Sequence, residues 1–217
     1  MQPFPVYVIH ARKLETRRTT LERTLEQIDW RATWIKDADP EDLGFRHWLR
    51  RVRNPRLTRG EVSVYEKQIL AWRAIAAAGE AALVLEDDPV FPVDFESRFE
   101  IYVNDLPKAW DLVFFGASCG MEASSTGRYA EAWSTRSLSG YLIGSATALR
   151  LANVLSSAPI RQPIDHAVNR QIETLSLQCF WSVPSLIANG SELGLVQRSI
   201  DGGRTRRALR TLRRMTR

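Results

Sequence analysis

Cysteine is nearly absent from this chain of 217 residues: Cys119 and Cys179 are the only two, in unrelated surroundings without Cys-x-x-Cys or Cys/His ligand spacing. That argues against a disulfide framework and against a thiolate zinc centre. Nowhere do about 18 apolar residues run together, so no membrane-spanning helix is expected. The opening MQPFPVYVIH has neither a basic start nor an apolar stretch of signal-peptide length, and the expectation is a cytoplasmic protein. Histidine is scarce, at three, and no internal repeat is found. Apolar residues are not scarce: 44% hydrophobic residues, 25% charged residues and seven tryptophans describe a folded chain long enough for one sizeable core.

The net charge of +5 is unevenly placed. Of the 30 basic residues seven are arginines within residues 204–217, a segment without an acid, which leaves 23 basic against 25 acidic residues in the rest. The expected organisation is therefore a slightly acidic domain over residues 1–203 and an arginine-rich tail over 204–217. A duplex-binding domain would have a basic body, so no nucleic-acid partner is expected. Leu209, Leu212 and Met215 recur every three residues in the tail, as in a weakly amphipathic basic helix. Such a segment suits reversible attachment to an anionic membrane surface, with a solvated tail and a nucleic-acid arm as the other readings.

PVYVIH (5–10) reads as a strand, the charged run after it as a helix with Leu14, Leu21, Leu25 and Ile28 inward, and WRATWIKDAD (30–39) as a second strand. Residues 40–59 read as an irregular connection whose second half carries six arginines and no acid, a composition that could clamp phosphates. Thr58 and Glu61 have capping-box spacing and Val62, Tyr65, Ile69, Trp72 and Ala76 form one stripe, so a helix runs from there to Gly79. Further strands are read at 81–86, 111–116, 139–144 and 178–183, with helices at 94–104, 146–157 and 165–176. Residues 117–133 read as a loop. Alternating strands and helices predict an α/β fold, a single Rossmann-type mixed sheet flanked by helices.

The stretch AALVLEDDPVF (81–91) ends a buried strand on Glu86, Asp87 and Asp88. In open α/β sheets ligands bind beyond the carboxyl ends of the strands. Adjacent carboxylates repel one another and need a cation or donors nearby, unless they only end the strand and face water. Magnesium or manganese would suit them, because these ions take oxygen ligands and use few protein carboxylates beside water and phosphate oxygens.

From VIHARKLETRR through LTRGEVSVYEKQILAWRAI, LVLEDDPVF, SGYLIGSATALRL and QPID to VPSLIANGS and RSI, residues 5–200 resemble glycosyltransferase family 25. The resemblance implies a GT-A-like fold and an inverting transfer of a sugar, galactose favoured, from a UDP-sugar to a saccharide acceptor such as a lipopolysaccharide or other surface-glycan precursor, with Mn²⁺ or Mg²⁺. By that analogy Asp88 ligates the metal, and Glu86 and Asp87 hold ribose or water around the ion. Asp165 matches the Asp of a Pro-Ile/Val-Asp motif and becomes the base or an acceptor-binding carboxylate, with a helix N-cap as the other reading. His10 falls where the uracil is held, Arg17 with Arg18 matches an arginine pair near the nucleotide, and His166 could add a nitrogen ligand. Gly140 and Tyr141 match a Gly-Tyr pair on a strand lining the acceptor pocket, with a plain core role for Tyr141 as the alternative. Asn189 and Ser199 keep part of the C-terminal pattern.

The departure is at Lys67-Gln68, where relatives commonly carry Ser-His. Gln68 lies about 70° from the centre of its helix stripe, at the edge of the buried face, and is assigned to the donor site. Glutamine hydrogen-bonds but does not titrate, so a silent GT-A-like nucleotide- or glycan-binding protein is the second reading. A metal-dependent nuclease is the third, and it lacks the further separated carboxylates of a two-metal site.

Overall fold

The computed structural model describes residues 2–116 and 127–196. The arginine-rich tail, Cys119, Ser199 and most of the segment read as a loop before residue 127 lie outside the described residues.

Strands β1 (Val6–Ile9), β2 (Ala32–Ile35) and β3 (Ala82–Glu86) are parallel, with β1 in the middle. Beyond β3 come β7 (Gly140–Ile143), antiparallel to both neighbours, then β5 (Leu112–Phe114), β8 (Cys179–Ser182) and the edge strand β6 (Tyr129–Glu131). The sheet is therefore mixed and of Rossmann type, as expected.

The strand sequences are apolar on both faces because both faces are covered. Val6, Val8, Leu83, Leu85, Val113 and Leu142 point to one side, where they meet Leu21 and Leu25 of α1 (Glu15–Gln27) and Phe95 and Phe99 of α4 (Phe95–Asn104). Tyr7, Ile9, Val84, Phe114 and Tyr141 point to the other, against α3 (Arg59–Ala78), α5 (Ser145–Ser157) and α6 (Ile164–Thr174). Among the described residues no helix is long and apolar enough to cross a membrane.

Two segments read as irregular contain structure. Residues 40–59 hold a short helix, α2 (Phe45–Arg51), and the 117–133 segment ends in β6. Their periodicity is too short to show in sequence: α2 has seven residues, and none of them is fully buried. A two-residue pairing of β4 (Pro89–Val90) with β9 (Ala188–Asn189) was also not foreseen.

The capping box of α3 is formed as its spacing predicts. Glu61 N donates to Thr58 Oγ1 at 3.1 Å and Thr58 N donates to Glu61 Oε2 at 2.7 Å, while Gly79 ends the helix at φ 78°. Thr58→Ala is expected to lower stability by about 1 kcal/mol, measured as a lower urea midpoint at unchanged m-value. An unchanged midpoint would show that the cap contributes nothing.

Candidate active site

The chain reverses its direction of travel across the sheet at β1. From β1 it crosses by α1 on one face to β2, then by α3 on the other face to β3. Beyond the carboxyl ends of β1 and β3 a crevice must open, because the two crossover helices lie on opposite sides of the sheet. His10 follows β1, and the carboxylates of Glu86, Asp87 and Asp88 end β3. A cleft of about 170 Å³ lies there, lined by His10, Arg17, Lys67, the acidic triplet and Ser191, with Pro40 and Gly60 on its wall.

Each carboxylate has a different set of partners. Asp87 Oδ2 is 2.8 Å from His10 Nδ1, and Asp87 Oδ1 accepts from Arg17 Nη1 at 2.8 Å. Arg17 reaches across to Asp88 Oδ2 at 3.2 Å, so one guanidinium bridges two acids. Asp88 Oδ2 also accepts from Ser191 N at 3.2 Å, and Glu86 Oε2 accepts from Asn189 Nδ2 at 3.2 Å. The β4–β9 pairing delivers these last donors, with Gly190 N bonded to Asp88 O at 2.8 Å.

Three carboxylates nevertheless crowd one cleft. Burial, and then the fields of Asp88, Asp87, Asp165 and Glu192, push the Glu86 carboxyl up to about 8. Burial also raises Asp88, against the pull of Arg17. Such crowding is the setting in which a divalent cation gains most, and an all-oxygen donor set suits Mg²⁺ or Mn²⁺ rather than zinc. Among the described residues no three His, Cys, Asp or Glu side chains converge as a complete metal cage.

The other sequence-predicted residues divide. Asp165 sits in the first turn of α6, where its Oδ1 accepts from His166 N at 2.9 Å; Pro163 occupies the N-cap, so the capping reading fails. Burial raises the Asp165 carboxyl, and its charge is felt at Glu86. His166 is exposed on α6 and is not brought into a metal cluster with Asp88, because it follows Asp165 on the helix and turns outward.

Gln68 and Tyr141, assigned to the donor and acceptor sites, are both 0% exposed. Tyr141 Oη donates to Gln68 Oε1 at 2.6 Å and accepts from Trp72 Nε1 at 2.8 Å, a polar chain inside the core. The reason is placement: β7 lies between β3 and β5 under helices, and Tyr141 packs into the core they form. Gly140 serves close packing instead, since a Cβ there would lie 2.6 Å from Ile187 Cδ1.

Sequence reasoning missed the role of Lys67. It is 1% exposed, lies 2.9 Å from Asp39 Oδ1, and donates to Asp37 O at 2.9 Å. Arg12 Nε donates to Asp39 Oδ2 at 2.9 Å, and Arg12 Nη2 to Asp42 Oδ1 at 2.6 Å. These ion pairs fix residues 37–42 against β1 and α3, and with them Pro40 on the cleft wall. No spacing announces a pair separated by 28 positions. Asn189 and Ser191 are likewise brought to the acids only by tertiary structure.

No protein-family model matches the chain. Two curated relatives do: procollagen galactosyltransferase 1-B of Xenopus laevis, 28% identical over 127 residues, which is 51% of this chain and 21% of the relative, and inactive glycosyltransferase 25 family member 3 of Homo sapiens, 33% identical over 119 residues, which is 50% of this chain and 20% of the relative. The chain thus spans about a fifth of the length of the curated relatives it matches. The chain folds as a Rossmann-type α/β layer with an acidic cleft at its switch point, and about half of it is similar in sequence to proteins of the glycosyltransferase 25 group.

Proposed function

We propose that the protein is a metal-dependent glycosyltransferase that moves a sugar, galactose favoured, with inversion from a UDP-sugar to a saccharide acceptor such as a surface-glycan precursor. The observation that carries this reading is the crowded acidic triplet Glu86, Asp87 and Asp88 in a cleft at the carboxyl ends of β1 and β3. The similarity to a galactosyltransferase supports it. Asp88 is the protein ligand of the divalent ion, which when bound supplies charge neutralisation for the departing diphosphate. Arg17 holds Asp87 and Asp88 in place, and His10 fixes the far oxygen of Asp87. Asp165 is the base that takes the acceptor hydroxyl's proton, and its burial strengthens it for that role. The tail over residues 204–217 adds reversible attachment to an anionic membrane surface.

A second reading, nucleotide binding without turnover, is favoured by the inactive relative. A screen of UDP-sugars with and without Mn²⁺ decides between them. The expected outcome is UDP release that falls at least about a hundredfold on chelation. Tight UDP binding without release supports the second reading, and neither binding nor release refutes both.

A further inference from the structure

The chain leaves the cleft wall at Pro40 and returns to it at Gly60, and α2 lies in the segment between them. At about 100° per residue, Phe45, Leu49, Arg46 and Arg50 fall within one arc of about 140°. The opposite arc is anchored. Arg51 Nε donates to Glu66 Oε1 at 3.0 Å, His47 Nε2 lies 3.2 Å from the same oxygen, and Trp48 packs against the core. The outer arc is thereby held toward solvent, with Phe45 74% and Leu49 55% exposed, one helical turn apart.

Around this apolar pair the surface is cationic. Arg46, Arg50, Arg53, Arg56, Arg59 and Arg161 are exposed. Arg53 and Arg59 donate only to backbone carbonyls, those of Leu49 and Val52 and those of Pro40 and Leu43, which leaves their charge uncancelled. Residues 43–60 contain no acid. The flanking acids Asp42, Glu61 and Glu66 are committed to Arg12, to the capping box and to Arg51, and the exposed Glu41 lies 4.0 Å from Lys13 Nζ.

We infer that this face of α2 docks on an anionic phospholipid bilayer, with Phe45 and Leu49 entering the headgroup boundary and the arginines on lipid phosphates. Charge complementarity selects an anionic partner, and the apolar pair selects a bilayer, because a nucleic-acid backbone offers phosphate and sugar but no apolar layer. Docking would hold the cleft at the membrane surface, which, resting on the transferase reading, makes the acceptor a lipid-anchored saccharide. This surface is distinct from residues 204–217 and acts without them.

The test is co-sedimentation of the full-length protein with vesicles of phosphatidylcholine alone or with phosphatidylglycerol. Binding is expected only with phosphatidylglycerol. Each basic side chain near an anionic leaflet strengthens binding about fivefold, so Arg46→Glu with Arg50→Glu should weaken it at least tenfold. Phe45→Ser with Leu49→Ser should weaken it about tenfold, and the loss should persist at high salt, where charge is screened. All four side chains are exposed, so the thermal midpoint should not move. The same losses should appear in a full-length variant whose tail arginines are serine. Absence of binding, binding unchanged in both pairs, loss only on tail substitution, or loss with the arginine pair alone would each overturn the inference. Sedimentation needs neither donor nor acceptor, so its failure is separate from failure of the transferase reading.

Discussion

Asp88→Asn is expected to lower kcat/KM for transfer from the UDP-sugar by 10² to 10³, with a parallel loss of Mn²⁺ affinity, while thermal stability stays level or rises. The two expectations come from the same geometry. Asp88 is one of three consecutive carboxylates and shares one guanidinium with Asp87, and burial disfavours its charged form. Asparagine keeps the side chain's shape and an oxygen to accept from Ser191 N, so the bend at β4 should hold. It removes the charge that would bind the ion, and it also removes repulsion from Glu86 and Asp87. Arg17 keeps Asp87 as its partner at 2.8 Å and is not stranded. Steady-state kinetics with a manganese titration and a thermal melt would measure both sides. Undiminished Mn²⁺-dependent transfer in the variant would remove Asp88 from the metal site.

Lys67→Met should destabilise the fold by about 3 kcal/mol or more, and weaken nucleotide binding as a consequence. The lysine is 1% exposed and its ammonium lies 2.9 Å from a carboxylate that is itself buried. Removing it leaves Asp39 with Arg12, whose side chain is 49% exposed and compensates less. Lys67→Met combined with Asp39→Asn should regain part of the loss, because no unpaired buried charge then remains. Burial works to raise the Asp39 carboxyl, but its bonds to Lys67 and Arg12 outweigh that and hold it below its ordinary value. A depressed carboxylate stabilises the fold above its unfolded pKa of about 3.9, and this contribution is lost as the pH falls below that value. The wild type should therefore lose stability faster than the double variant on acidification. Urea denaturation between neutral pH and about pH 3 follows all of this, and a loss below about 1 kcal/mol for Lys67→Met would show that the pair carries little.

Lys67 also shows where the sequence was legible and where it was not. The acidic strand end, the capping box and the helix ladder are local patterns, and each appears where its spacing put it. The Lys67-Gln68 pair was read as a departure from relatives that puts function in doubt, whereas in the fold it is interior structure: one residue ties down residues 37–39 and the other holds Tyr141. The helical wheel placed Gln68 at the edge of the buried face. It is fully buried because α3 is covered by the sheet on one side and by α5 on another, which widens the buried arc beyond one stripe. The antiparallel course of β7 between β3 and β5 left no mark either, since a strand covered on both faces reads the same in either direction. Burial in the middle of the sheet is what makes Tyr141 part of the core.

The pairing of β4 with β9 has a consequence for how the protein is made. Glu86 and Asp88 receive their amide donors from Asn189 and Ser191, across 103 residues of chain, whereas Asp87 is held by His10 and Arg17. During synthesis from the N-terminus the acidic segment exists long before the segment that orients it. The His10 and Arg17 contacts can thus form from the N-terminal part of the chain alone, whereas the amide donors to Glu86 and Asp88 wait for the last strand pair to close.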